Sequence, residues 1–232
     1  MRWQIILLPF LAAAQPPSFE VASVKPSSEV GGKISIGRDP GGGFNARNIQ
    51  LENLILLTYH VQRYQLKGEA GWVRSERFDV AAKSPAGVPK DQTWEMMKTL
   101  LAERFGLVVH RETVEMPVYR LIPANGGLKI RPADRPRAEQ DGFFQSGRGR
   151  IRLRMAGLDQ LAFALSDVLE RCVQDRSGSK DNFDLQLEWT PESPEGPNIM
   201  AALAEQLGLK LEGSRAPVEV VVIDRAERPS GN

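Results

Sequence analysis

Apolar positions along the chain recur in two rhythms, and the rhythms follow one another in the same order twice. Leu51, Leu54, Ile55 and Thr58 fall at helical spacing, with Asn48 available as a cap. Leu56, Leu57 and Tyr59 widen the apolar surface, so this helix is expected to be covered on more than one side. Arg77-Phe-Asp-Val-Ala-Ala82 predicts a strand, and the turn-rich Lys83-Ser-Pro-Ala-Gly87 follows it. A second helix is expected from Thr93 to Phe105, with Met97, Leu100, Leu101 and Phe105 as its apolar stripe. Gly106 ends it, as the residue that tolerates a left-handed backbone just past a helix. A strand over Leu107–Arg111 and a closing strand that starts at Pro117 complete the set.

The later half repeats these signals. Leu158-Asp-Gln-Leu-Ala-Phe-Ala164 corresponds to the first helix and Asn182-Phe-Asp-Leu185 to the strand around Asp79. Ala202-Leu-Ala-Glu-Gln-Leu-Gly-Leu209 matches Leu100-Leu-Ala-Glu-Arg-Phe-Gly-Leu107 at five of eight positions. Ala216-Pro-Val-Glu-Val-Val-Val222 answers Met116-Pro-Val-Tyr-Arg-Leu-Ile122. In the second copy Ile199, Ala202, Leu203 and Leu207 form the stripe, Gly208 ends the helix, and Pro217 opens the closing strand. Val218–Ile223, apolar almost throughout, reads as a central strand covered on both faces. Four blocks in one order argue for internal duplication.

The pattern therefore predicts an α+β fold of two tandem βαββαββ-like units, each with two helices packed on small mixed sheets. The first unit is expected over 44–127 and the second over 150–227, with a linker at 128–149 and a tail at 228–232. Phe19–Val24 and Lys33–Ile36, separated and followed by glycine clusters, predict extra strands within 15–43 that form a leading sheet or extend the first unit.

Composition narrows the class of protein. The chain has 30 Lys+Arg against 29 Asp+Glu, which excludes a polybasic nucleic-acid binder driven by bulk charge. Arginines do cluster at Arg131–Arg137 and Arg148–Arg150, but Asp134, Glu139 and Asp141 sit among them and the stretch reads as a solvated linker. A single cysteine, Cys172, excludes an internal disulfide, and two histidines argue against a His-rich metal centre. The start, Met1-Arg-Trp-Gln-Ile-Ile-Leu-Leu-Pro-Phe-Leu-Ala-Ala-Ala14, has the order of a secretory signal with cleavage near Ala14. Its apolar run is too short to span a bilayer, so an exported mature chain without a transmembrane segment, periplasmic or extracellular, is expected.

Phe19-Glu-Val-Ala-Ser-Val-Lys-Pro26, Trp72 with Arg77-Phe-Asp79, Leu101-Ala-Glu-Arg-Phe-Gly-Leu107, Met116-Pro-Val-Tyr119, Asp175-Arg-Ser-Gly178, Leu187-Glu-Trp-Thr190 and Glu205-Gln-Leu-Gly-Leu-Lys-Leu211 together carry a resemblance. The combination resembles a paralogous family of secreted acidobacterial (Solibacter-type) proteins of unknown function, whose domain is also found with membrane metallopeptidases of the BlaR sensor type. The family usually carries Thr-Gly-Leu-Thr-Gly in its central loop, where this chain has Ser177-Gly-Ser-Lys-Asp181. The resemblance implies an extracytoplasmic sensing or interaction role and carries over no catalytic residue. The repeated helix-Gly-strand unit is also similar, in pattern, to the short N-terminal domain of secretins and TonB-dependent receptors.

Ser177-Gly-Ser-Lys180 fits S-x-x-K formally but lies in a polar stretch without the partner motifs, and reads as a turn. Gly41-Gly-Gly-Phe-Asn-Ala46 lacks the strand-to-helix setting of a dinucleotide loop. His60 and His110 lack metal-motif spacing. Asp79 and Asp184 occupy equivalent places and read as structural carboxylates capping a turn, or as acid–base groups. Arg171 could activate the Cys172 thiol, whereas Leu169 and Val173 predict packing. Trp72 and Trp189 read as core anchors rather than sugar platforms. No catalytic residue, metal ligand or cofactor is assigned, and the binding residues stay open. The leading expectation is a non-enzymatic binding or interaction module, with an envelope protein or cell-wall-derived ligand as partner and no nucleic acid. The rivals are an extracytoplasmic hydrolase of peptide or polysaccharide using Asp79, Asp184 or Ser177, and a sensor domain partnering a BlaR-type metallopeptidase.

Overall fold

The structure, a computed structural model, describes residues 16–28, 32–39, 41, 43–68, 71–134, 144–147, 149–191 and 198–229. The expected signal segment 1–14, residues 135–143 of the expected linker, Arg148, and 230–232 of the expected tail lie outside the described residues. The molecule is α+β. In chain order its main elements are β1 (Val21–Pro26), β2 (Ser35–Arg38), β3 (Phe44–Gln50), α1 (Leu51–Tyr59), β4 (Leu66–Lys67), α2 (Gly71–Ser75), β5 (Arg77–Lys83), α3 (Thr93–Phe105), β6 (Val108–Pro123), β7 (Phe144–Gly147), β8 (Arg150–Ala156), α4 (Leu158–Leu169), β9 (Val173–Asp175), β10 (Phe183–Glu188), α5 (Ile199–Ala202, widening into a π turn over Leu203–Leu207) and β11 (Leu209–Arg225). No helix among the described residues is long and apolar enough to cross a membrane. Two compact units are assembled from separated stretches, one from 1–60, 68–110 and 223–232, the other from 61–67 and 111–222.

In the first unit, antiparallel pairing gives a sheet of order β1-β5-β3-β2. Strand alternation buries Phe44 and Ala46 on β3 and Phe78, Val80 and Ala82 on β5, all on one face. Leu51, Leu54 and Ile55 of α1 and Met96, Met97, Leu100, Leu101 and Phe105 of α3 are buried with them. Phe78 meets Phe105 edge to face at 5.1 Å. The two leading strands extend this sheet as its edges. Asn48 is not the cap of α1: the flanking residue is Gln50, which makes no side-chain cap bond. Asn48 sits instead at φ 55 in a bulge where β3 advances three residues, Ala46 to Ile49, while β5 advances two, Val80 to Phe78.

In the second unit, β10, β8 and β7 form one antiparallel sheet. Ile151, Leu153, Phe183, Leu185 and Leu187 face Leu161, Leu165, Leu203 and Leu207 in a single core. A second sheet has the order β4-β11-β6-β9, in which β4 runs parallel to β11 and β9 parallel to β6. The short strand from each half of the sequence thus pairs with the long strand from the other half. Val220 and Val221 are both fully buried, so adjacent residues on opposite faces of β11 are covered, as the apolar run predicts.

Two expectations need correction. Pro117 and Pro217 do not begin strands but lie inside β6 and β11, which run unbroken for 16 and 17 residues. The short flanking strands pair only at 119–121 and 221–222, so each proline stands where no described strand needs its missing N–H on that side. The stretch 128–149 is not all linker. Its Leu128 and Ile130 pack on the second core, and its β7 pairs with β8. The chemistry of a lone apolar pair was too sparse a signal to reveal that docking.

Candidate functional site

The two bulges decide the fate of the paired carboxylates. Asp79 lies between the β5 residues that oppose the β3 bulge, and its Oδ1 accepts the backbone N–H of Asn48 at 2.8 Å. Asp184 lies between Phe183 and Leu185, opposite the same three-for-two step in β8, and its Oδ1 accepts the N–H of Met155 at 2.8 Å. Met155, like Asn48, has positive φ, here 45. A residue forced into the left-handed region turns its N–H out of the ladder, and the carboxylate supplies the acceptor the ladder cannot. The other two non-glycine residues at positive φ among those described, His60 and Glu170, close α1 and α4. All four therefore fall in corresponding places of the two halves.

The remaining sequence candidates resolve into packing and turns. Ser177 Oγ accepts the Ser179 N–H at 3.3 Å, Ser179 Oγ accepts the Asp181 N–H at 3.2 Å, and Asp175 accepts the Ser177 N–H at 2.9 Å, a chain of side-chain-closed turns. The loop containing Gly41 and Gly43 joins β2 to β3 as a hairpin, closed by the Asp39 N–H on the Gly43 carbonyl at 2.9 Å; Gly42 lies outside the described residues. Cys172 is buried with Val118 and Val218. Burial pushes its thiol pKa up, against a smaller lowering by the hydrogen bond with Tyr64. Burial likewise raises the Tyr64 hydroxyl, with Cys172 adding to the rise and Ser166 opposing it. Arg171 lies over the Tyr119 ring at 4.8 Å. Trp72 packs edge-on to Phe78 at 6.5 Å under the Arg228 guanidinium, and Trp189 packs against the second core.

The structure adds partners that the sequence did not reveal. His110 Nδ1 lies 2.9 and 3.0 Å from the two carboxylate oxygens of Asp224. Glu52 is buried in the first turn of α1 with Arg74 Nε at 3.0 Å from its Oε1. The described residues hold no group of three or more His, Cys, Asp or Glu able to bind a metal ion.

The surface that is built most distinctively surrounds β2. Its register, Ile36 against Ala46 and Arg38 against Phe44, puts Ile36 and Arg38 on the buried-face side of the sheet. Yet every residue of β2 is exposed, Ile36 to 47%. Arg38 lies over the ring of half-buried Trp94 at 5.4 Å. His60 meets the same ring edge-on at 5.3 Å, and Phe44 braces it at 6.3 Å. Lys33, Arg38 and Arg47 are exposed, and no ion pair occupies them among the described residues. Ile36, Arg38 and the Trp94 ring thus share one face at the sheet edge, with Lys33 just before the strand and Arg47 on the opposite face of β3, a combination suited to binding.

No curated protein and no solved structure matches the chain. A family model described as "Protein of unknown function (DUF3738)" matches residues 52–226, most of the sequence, and the chain belongs to that family.

Proposed function

We propose that the chain is an exported, non-enzymatic binding module of the cell envelope, formed by duplication of one αβ unit. The observation that carries this reading is the exposed, cationic and partly apolar border of β2. Supporting it, the groups a hydrolase would recruit from the sequence are already engaged: Asp79 and Asp184 hold bulges, and Ser177 holds a turn. Duplication is supported by the matching bulges, carboxylates and left-handed helix ends. The immobilised chain is expected to retain a protein or cell-wall fragment from envelope extracts. Retention of neither would contradict the proposal.

The hydrolase reading keeps one observation, the His110–Asp224 pair, in which a carboxylate orients an imidazole as in general-base catalysis. It requires peptidase or glycosidase turnover that His110→Ala abolishes. The sensor reading requires measurable contact with a BlaR-type membrane metallopeptidase, and the β2 border is the surface it would use.

A further inference from the structure

We propose that the open side of β2 is a docking edge for an acidic segment of a partner protein, which adds to the sheet as an extended strand. The proposal rests on the binding-module reading and names where the partner sits and what chemistry it brings.

Hydrogen-bond phase comes first. The Asp39 N–H donates to Gly43 O, which makes Asp39 and Gly43 a bonded antiparallel pair. Such pairs alternate with non-bonded ones, so Gly37–Asn45 and Ser35–Arg47 are bonded, whereas Ile36–Ala46 and Arg38–Phe44 are not. The N–H and C=O groups of Ile36 and Arg38 therefore point away from β3, towards the edge.

Two other edge strands have outward groups occupied. On β1, the Ala22 carbonyl accepts from Arg104 at 3.2 Å. On β10, Gln206 takes both the Glu188 N–H, at 3.0 Å, and the Glu188 carbonyl, at 2.7 Å. Side chains that cap an edge in this way stop it from recruiting another strand. No described side chain does so on β2, and no described strand pairs with its open side.

Charge selects the occupant. Ile36 and Arg38 stand on β2 on the face of Trp94, Lys33 precedes the strand, and Arg47 lies on β3 on the opposite face, while the nearby Asp39 carboxylate accepts from Asn45. Acidic side chains on an added strand meet Arg38 and Lys33 at the edge, and an apolar residue finds Ile36 and Trp94. A second copy of β2 added in parallel register sets each cation beside itself, whereas an acidic segment brings it an opposite charge.

The test is a titration of the full chain with an eight-residue peptide of alternating threonine and glutamate, followed by amide NMR. The expected result is saturable shifts and slowed hydrogen exchange at Ile36 and Arg38. The response should weaken at least about five-fold in 0.5 M salt, because exposed charges are screened. The threonine–lysine counterpart should give none. Ile36→Pro removes the outward N–H at an edge position and should abolish the response with the melting temperature nearly unchanged. Should that variant unfold, Lys33→Glu with Arg38→Glu should exchange the preference to the lysine peptide. Absence of any shift, or failure of the charge reversal to change the preference, overturns the proposal. Shifts confined to other residues overturn the edge assignment while leaving the binding-module reading intact. Concentration-dependent shifts at Ile36 and Arg38 without peptide assign the edge to a second copy and overturn it too.

Discussion

Individual side chains carry two kinds of duty here, holding the backbone in unusual places and staying neutral inside the core. Asp79 and Asp184 are of the first kind. Asp79→Ala should lower stability by about 2 kcal/mol, since a donor at the bulge loses a charged acceptor, and the more exposed Asp184→Ala should cost about half as much. Urea midpoints measure both. Glu170 carries its left-handed conformation at the end of α4 without glycine's freedom. Glu170→Gly should therefore raise stability by about 1 kcal/mol, read as a melting-temperature increase of about 2–4 °C. Cys172 and Tyr64 are of the second kind. Both pKa values are raised by burial, so above the unfolded cysteine value of 9.0 the folded chain binds more protons than the unfolded one. Their contribution is complete below that pH and is lost as pH climbs through the raised folded values. Stability should fall on the alkaline side, with a shallower fall in Cys172→Ala; an identical slope in the variant would contradict the assignment. Asp79 was legible in the sequence as one of a matched pair, but its partner was not. A bulge is a mismatch between two strands, and neither strand alone records it.

The elements themselves were largely legible where side-chain periodicity is strong. Helical spacing and a terminal glycine place α3 at Thr93–Phe105, and Gly106 and Gly208 do end their helices at φ 53 and φ 68. Their surroundings differ in a way spacing cannot express. A Cβ at Gly106 would meet the movable side chain of Glu227 at 3.3 Å, whereas one at Gly208 would collide with the backbone carbonyl of Gly127 and come within 2.7 Å of Lys129 N. Gly106→Ala should cost about 1 kcal/mol from backbone strain alone. Gly208→Ala should cost more than twice that, and equal thermal shifts in the two variants would show the Gly127 contact to be unimportant. The proline signals misled because the sequence marks where a ladder bond is missing, not whether the strand continues past it. The character of β2 was hidden for a related reason. Lys33-Ile-Ser-Ile36 announces a strand, but only the folded sheet leaves it outermost, and only the β2–β3 hairpin brings Arg38 over Trp94.

At the scale of the molecule, sequence order and spatial units do not coincide. The first unit includes residues 223–232, far from its other segments in the chain. Within it, the Glu227 N–H donates to the Phe105 carbonyl at 2.6 Å, and Arg228 pairs with Glu76 at 2.7 Å while covering Trp72. Deleting residues 223–232 should therefore destabilise the first unit specifically, with amides of α3 and β5 losing hydrogen-exchange protection before those of α4 and β10. Uniform loss, or none, would show that the segment is not integral to that unit. Four ordered blocks match between the two halves of the sequence, but the exchange of short strands between halves was not visible there, because parallel pairing between distant segments leaves no local mark. The functional account reduces to one surface, and the most direct measurement compares what immobilised wild-type chain and Ile36→Pro retain from the same envelope extract. The account predicts a retained acidic partner that the variant loses at an unchanged melting temperature. Equal retention by the two proteins would contradict it.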